Sequence, residues 1–349
     1  MAYTTINDPS VQFQIALYTG TSASKSVTFS GNANLQPDMM WIKSRSNATN
    51  QNLYDSSRGS TERLYPNLTS QKDTVSGMTF NSDGFTTGTN SVGDINVDGN
   101  TYVGWGWKCN GGTTSSNSSG SITSTVQVNA TAGLSIVTYA GTGSNATIGH
   151  GLGVQPEQVI IKARDRADNW RTGSDYLTSW GYNIALDVDN AEWANSGVFN
   201  STGPTSSVFY VGTDGATNAN GENYVAYCFK SIQGYSKFGS YTGNGNVDGP
   251  FIYCGFKPAW VLTKNSSHAG GWAAMDATRN PYNVMNKYLI TNTADAEASG
   301  SSFDIDTTAT GFKIRASNAN MNADGRTYIF MAFARQPLVG TNNVAATAQ

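Results

Sequence analysis

Charge is what this chain has least of. Of 349 residues, 21 are Lys or Arg and 24 are Asp or Glu, so charged side chains make up 13%. An average soluble domain carries roughly 25%. The formal net charge is −3. Nucleic acid is held by neutralising its phosphates, and this surface has little to do that with, so nucleic acid is excluded as a partner. There are only two histidines, His150 and His268. No Gly-x-Ser-x-Gly and no His-Glu-x-x-His occurs, so the common hydrolase and zinc-protease signatures are missing. No apolar run reaches the roughly 18 residues of a membrane span. Met1–Thr5 has neither the basic nor the apolar part of a signal peptide, so neither membrane insertion nor secretion is expected. Cys109, Cys228 and Cys254 are odd in number, and each lies in or beside an apolar strand. They read as buried free thiols made in a reducing compartment.

Gly, Ser, Thr and Asn stand in for charge, with 38 glycines. An aromatic content of 11% argues against disorder. The composition suits an all-β protein with many tight turns.

One pattern organises the chain. Pro-x-x-[VLM]-[ILW]-x-Lys occurs three times, from Pro37, Pro156 and Pro258. Each copy follows a Tyr-x-Gly, at Tyr18, Tyr139 and Tyr241, and precedes Asn-x-[Asn/Asp]-Gly-x-x-Tyr, which ends at Tyr102, Tyr224 and Tyr328. The leading and closing tyrosines are 84, 85 and 87 residues apart (Tyr18 to Tyr102, Tyr139 to Tyr224, Tyr241 to Tyr328). Constant spacing of three signposts indicates one unit used three times. We place an N-terminal segment at 1–10 and units at 11–109, 133–232 and 235–336. A Gly/Ser/Thr-rich linker spans 110–132, and a C-terminal tail, expected to be mobile, spans 337–349. The fold class expected is all-β: three tandem β-sandwich or jelly-roll-like repeats.

Period-2 runs supply the strands. Val11–Tyr18 reads as a strand with Val11, Phe13, Ile15 and Leu17 on one face. Met39–Lys43, Gln158–Lys162 and Trp260–Lys264 are short apolar runs of buried-strand type. In the closing strand Tyr102, Gly104 and Gly106 alternate with Val103, Trp105 and Trp107. The small face leaves room for a facing sheet or subunit. Ile122, Val126 and Val128 share one parity, so part of the linker is expected to add an edge strand. Asn283–Ile290 is the nearest thing to a helix.

Several constellations bear on chemistry. Asp94-x-Asn96-x-Asp98-Gly99 resembles half of a calcium loop, but the twelfth position is Trp105 and the turn reading is preferred. No metal and no cofactor is expected. Asp55-x-x-Arg58 recurs as Asp276-x-x-Arg279 and is missing from the second unit. It reads as an ion pair pinning a loop, with a polar contact to a ligand as the alternative. Asp187, Asp189 and Glu192, beside Trp193, are the best carboxylate cluster for a glycan hydrolase. The aromatic residues are more suggestive. Trp170 and Trp272 each lie 14 residues after their repeat proline, and Tyr54 sits close to the matching position of unit one. An exposed ring beside amides and glycines can stack on a sugar, so Trp170, Trp272 and Tyr54 are the candidate ligand-binding residues. A buried core role is their alternative.

These residues resemble a family of virion proteins from marine and other environmental tailed bacteriophages, labelled tail fibre or structural, that carry repeats of a domain of unknown function. The resemblance spans nearly the whole chain. It is carried by the Pro-to-Lys strand followed by Asp55-Ser56-Ser57-Arg58 or by Asp276–Asn283, by Ile148–Gly153, and by Tyr235–Gly245. It implies a virion-surface location, assembly in the host cytoplasm, other virion proteins as partners, a lectin-like character and no catalytic motif. The expected function is therefore non-enzymatic: tail-fibre or spike-like adhesion to the host surface, with glycan as ligand. Capsid decoration is the alternative, and glycan hydrolysis a lesser one. Fibres and spikes usually close about an axis, so a homotrimer is expected.

Overall fold

The computed structural model describes residues 4–75, 77–89 and 95–339. Nearly every element among them is an antiparallel strand. The α-helices are two four-residue turns, Ser196–Phe199 and Gly215–Asn218. Asn283–Ile290, the stretch nearest to a helix, is not one: Lys287–Ile290 is a strand. A helix that short cannot repay its nucleation, whereas pairing with Ala273 and Ala274 satisfies the backbone at once.

Each unit is a sandwich of one large and one small sheet. In unit one the large sheet runs Phe13–Thr19, Thr101–Trp107, Met39–Ser44, Asn52–Asp55, Gly59–Leu64, Asp73–Thr74. The small sheet holds Lys25–Val27, Gly84–Thr87 and Met78–Asn81. In unit three the large sheet runs Ser236–Thr242, Thr327–Pro337, Phe256–Asn265, Ala273–Asp276, Lys287–Ile290, Ala298–Ser299. The small sheet runs Phe251–Tyr253, Gly311–Ile314, Ile305–Thr308. Unit two keeps the order Leu134–Ala140, Asn223–Phe229, Gln158–Ala163, Arg171–Ser174 and gains two strands on its leading edge. Those two, Ser115–Asn117 and Ser124–Asn129, come from the linker, which is structured instead of free.

The signpost tyrosines now have a physical role. Leading and closing tyrosines face each other across the sheet, Tyr18 with Tyr102, Tyr139 with Tyr224, and Tyr241 with Tyr328. Their rings stack at 5.0, 5.2 and 5.0 Å. Asn96, Asn218 and Asn322, which open the Asn-x-[Asn/Asp]-Gly turns, are buried and spend their amides on backbone groups of loops around them. Gly99, Gly221 and Gly325 take φ of +73°, +77° and +70° in these turns, which is why glycine recurs there. Asn96 is thus a structural plug; Asp94 of the calcium-loop reading and the tail beyond 339 lie outside the described residues.

Alternation along the closing strand divides two cores. Tyr102, Gly104 and Gly106 look into the sandwich of unit one. A side chain on either glycine would strike Met40, with Phe85 beside Gly104 and Phe29 beside Gly106, so the small face makes room within the unit, not for a second subunit. Val103, Trp105 and Trp107 look the other way. So do Val225, Tyr227 and Phe229 of unit two, and Ile329, Met331 and Phe333 of unit three. These nine residues belong to one cluster shared by all three units. Trp260 lies in it, edge-on to Trp105, Trp107 and tilted on Phe333, with centroids 5.7–5.8 Å apart. The three large sheets therefore pack against one another around a common centre, with the small sheets outside. Packing leaves a void of about 20 Å³ between residues of all three units, room for about one water. The leading strand is shorter than expected. Val11 lies in the 3-10 turn Pro9–Val11, and Leu17 is exposed while Phe13 and Ile15 face the centre.

Candidate functional site

The seams between units collect most of the singled-out residues. Trp170 and Trp272 are 0% and 2% exposed. Each indole N–H reaches a carbonyl of a different unit: Trp170 to Tyr65 at 2.9 Å, Trp272 to Ala185 at 2.9 Å. Gln51, at the same offset in unit one, donates to Ile290 and Thr293 of unit three at 3.3 Å each. The links form a ring: unit two to one, three to two, one to three. Tyr54 is 0% exposed, inside the sandwich of unit one. The sugar-stacking expectation for Trp170, Trp272 and Tyr54 is therefore corrected. A ring with no face toward solvent cannot receive a ligand, and these rings are held where they are because the apolar faces of three sheets must cover one another.

Asp55–Arg58 and Asp276–Arg279 belong to the same ring. Both pairs are completely buried, with Nε to Oδ2 at 2.5 Å. Tyr227 of unit two donates its hydroxyl to Asp55 at 2.6 Å. Trp105 of unit one donates its indole N–H to Asp276 at 3.1 Å. Tyr227 and Trp105 each stand three residues after a closing tyrosine. At that position unit three has Met331, which offers no such donor, and the strand position matching Asp55 and Asp276 in unit two is Ser174. The missing Asp-x-x-Arg thus follows from its neighbour: without a donor to meet, a buried carboxylate has no reason to be there. Two seams are also tied by part-buried ion pairs. Glu62 takes Arg164 and Lys72, and Glu297 takes Arg45 and Arg279.

Two of the lysines that close the Pro-to-Lys motif, Lys162 and Lys264, are tethers between units. Lys162 donates to the carbonyls of Thr69 in unit one and Asp168, and Lys264 to those of Asp189 in unit two and Asn265. Burial pushes the Lys162 ammonium down to about 8 and that of Lys264 to about 7. The unfolded lysines hold their protons to about pH 10.4. From about pH 7 upward the unfolded chain therefore binds more protons than the folded one, so stability rises with pH. Calorimetry should show the melting temperature climbing between about pH 7 and 10, and Lys264→Met should flatten the climb; a falling curve there would overturn the assignment.

The remaining candidates serve the fold. His150 is buried, accepting from Leu152 N–H at Nδ1 and meeting the Thr205 carbonyl at Nε2; burial lowers its pKa. Asp187 holds Asn169 and the Trp170 N–H, and burial raises its pKa. Glu192 caps Thr178 by two bonds. Trp193 stacks on Arg171. The carboxylate cluster is thus dispersed over separate structural tasks, apart from the exposed Asp189. The three cysteines are free and buried, and burial raises their thiol pKa values well away from thiolate chemistry. Among the described residues no group of three or more metal-ligating side chains occurs, and no helix is long and apolar enough to cross a membrane.

What remains for a partner is on the outside. Large apolar side chains exposed among the described residues are Leu17, Val154, Val247, Phe251, Tyr253, Tyr282 and Val284. The last five belong to unit three. Ile252, Phe312, Ile305 and Met285 point into its sandwich, and an isolated bridge from Met285 to Ile305 extends the small sheet. Alternation therefore turns Phe251, Tyr253 and Val284 outward on one face. The matching outward positions are Ser26, Thr79 and Thr86 in unit one and Thr147 and Tyr210 in unit two. Nothing in the composition of a three-residue strand marked Phe251–Tyr253 as different; only its place on an outer sheet does.

No curated protein and no solved structure matches the chain. A family model described as a domain of unknown function, DUF7483, matches residues 8–337, and the chain belongs to that family.

Proposed function

We propose that this chain is a non-enzymatic surface component of a bacteriophage particle, a decoration-type structural protein seated on another particle protein by the outer face of unit three. The observation that carries it is the one-sided distribution of exposed apolar surface. Tyr253 and Tyr282 are 58% and 78% exposed, on the same unit as Phe251, Val247 and Val284, while the outward positions of the other two small sheets carry Ser, Thr and a part-buried Tyr210. Exposed apolar side chains concentrated on one unit, interleaved here with Lys313 and Asp306, make its outer face the candidate interaction surface. A feature present in one copy of a recurring pattern is also a better candidate for function than one present in all. The resemblance to phage virion proteins supplies the particle; the buried fate of the shared motifs supports a scaffold role. Because the three large sheets already meet inside one chain, we assign the outer face to attachment and not to homotrimer closure. Host adhesion is the second reading, favoured by a groove at the seam of units two and three.

In particles assembled with Phe251→Ser/Tyr253→Ser, occupancy by this protein on gels and in electron micrographs should fall at least tenfold. The purified variant should keep its stability to within about 0.5 kcal/mol, as surface changes do. Full occupancy by the folded variant would sink the docking face.

A further inference from the structure

We infer that the open groove between units two and three is a binding site for a neutral carbohydrate. The groove, about 260 Å³, is lined by Asp189 of unit two and by Gly271, Tyr288, Asn292, Thr293 and Asn320 of unit three, among others. That is a little below the roughly 300–1,000 Å³ of drug-sized ligand sites, so the groove suits one small ring.

Three features set this seam apart. The first is charge. At the other two seams each acid is matched, Glu62 by Arg164 and Lys72, and Glu297 by Arg45 and Arg279. The exposed Asp189 uses its backbone carbonyl on Lys264 and Gly270, and its carboxylate makes no hydrogen bond or close ion pair among the described residues, only a longer-range attraction to the Lys264 ammonium. The second is space. The residue before Trp170 is Asn169, and the residue before Gln51 is Asn50; both turn their side chains onto their own units, Asn169 to Asp187 and Asn50 to Asn67. The residue before Trp272 is Gly271, where a Cβ would come within 2.8 Å of Ile290 and 3.4 Å of the Asn292 side chain. Glycine is needed here because Ile290 packs where a Cβ would stand. The third is an aromatic wall. The Tyr288 ring is half-buried and rests on Phe303 at 4.3 Å between centroids.

The chemistry of these groups selects the ligand class. A carboxylate accepts from two neighbouring hydroxyls, as on a pyranose. Asn292 accepts the Trp272 backbone N–H on its side-chain carbonyl at 2.8 Å, which leaves its NH₂ group to donate to ring or hydroxyl oxygens. The Asn320 side-chain amide, free of protein partners among the described residues, can do either. The Tyr288 ring can cover the C–H face of the sugar. An unmatched carboxylate in the groove disfavours anionic ligands, so the sugar is a neutral one. This site lies apart from the outer face of unit three and does not depend on it.

Saturation-transfer NMR on the full chain tests the inference. The probes are methyl glycosides of glucose, galactose and mannose, N-acetylglucosamine, and sialic acid as the anionic control. At least one neutral sugar should receive transfer and sialic acid none. Asp189→Ala and Tyr288→Ala should each weaken the positive signal at least tenfold, with Tyr253→Ser unchanged. Asp189 makes no internal side-chain bond, so its variant keeps the fold, and an unchanged melting curve verifies this. Transfer from none of the neutral sugars overturns the inference, as does transfer that survives both groove variants or an equal response from sialic acid. Loss of particle occupancy without loss of sugar transfer would separate this site from the docking face.

Discussion

Asp276→Ala is expected to lower the stability of the whole chain by about 3–5 kcal/mol, the cost of removing one partner from a buried ion pair. The Arg279 guanidinium would stay enclosed. It would keep Glu297 at 3.2 Å and the Ala274 carbonyl at 3.0 Å, but lose its closest acceptor. The Trp105 N–H of unit one would lose its acceptor as well. Chemical denaturation measures the loss. The double variant Asp276→Ala/Arg279→Leu should be closer to the parent than the single one, because an apolar replacement of both charges leaves no stranded charge behind. Unit two already shows the outcome, with Ser174 facing a neighbour that has Met331. A single variant within about 1 kcal/mol of the parent would mean that water reaches the pair and that it pins nothing.

Trp260→Ala should cost about 3–5 kcal/mol as well, from lost burial and from the cavity left behind. More telling is the form of the unfolding curve. Trp260 belongs to unit three by sequence but packs on Trp105 and Trp107 of unit one, and Phe333 beside it meets Phe229 of unit two at 6.3 Å. A core with no owner cannot be lost by one unit alone. Calorimetry should therefore show one transition that moves down as a whole. Three transitions, of which only one shifts, would mean that the units fold independently and that the common centre contributes little.

The same feature explains what was and was not legible in the residues. Strand positions followed from period-2 runs, and turns from Asn and Gly, because both depend on neighbours within a few residues. The signpost tyrosines and the Pro-to-Lys strands were visible through their spacing, but not that the tyrosines face each other across the sheet. The linker's strand showed in the parity of Val126 and Val128. Trp170, Trp272 and Tyr54 were misplaced for a specific reason. A tryptophan beside Asn or Gly has the same local pattern in a sugar site and in a seam. The Trp170 N–H meets a carbonyl 105 residues away, and Trp105 a carboxylate 171 residues away. One signal was available in hindsight. The Asp-x-x-Arg element is absent where the neighbouring closing strand carries Met331 in place of Tyr227 or Trp105, a correlation between units that only makes sense once the ring of contacts is known.

The sequence by itself determined an all-β chain, its turn chemistry and the positions of its main strands. These rest on backbone preference and on short-range alternation. Tertiary structure alone decided which of two apolar strand faces looks into its own sandwich and which looks to the common centre. Alternation distinguishes two faces of a strand but cannot say what covers either one. It also decided that Asp189 stays unmatched beside an open groove and that Phe251, Tyr253 and Val284 stay outside, since exposure is what remains after every other surface has found its cover.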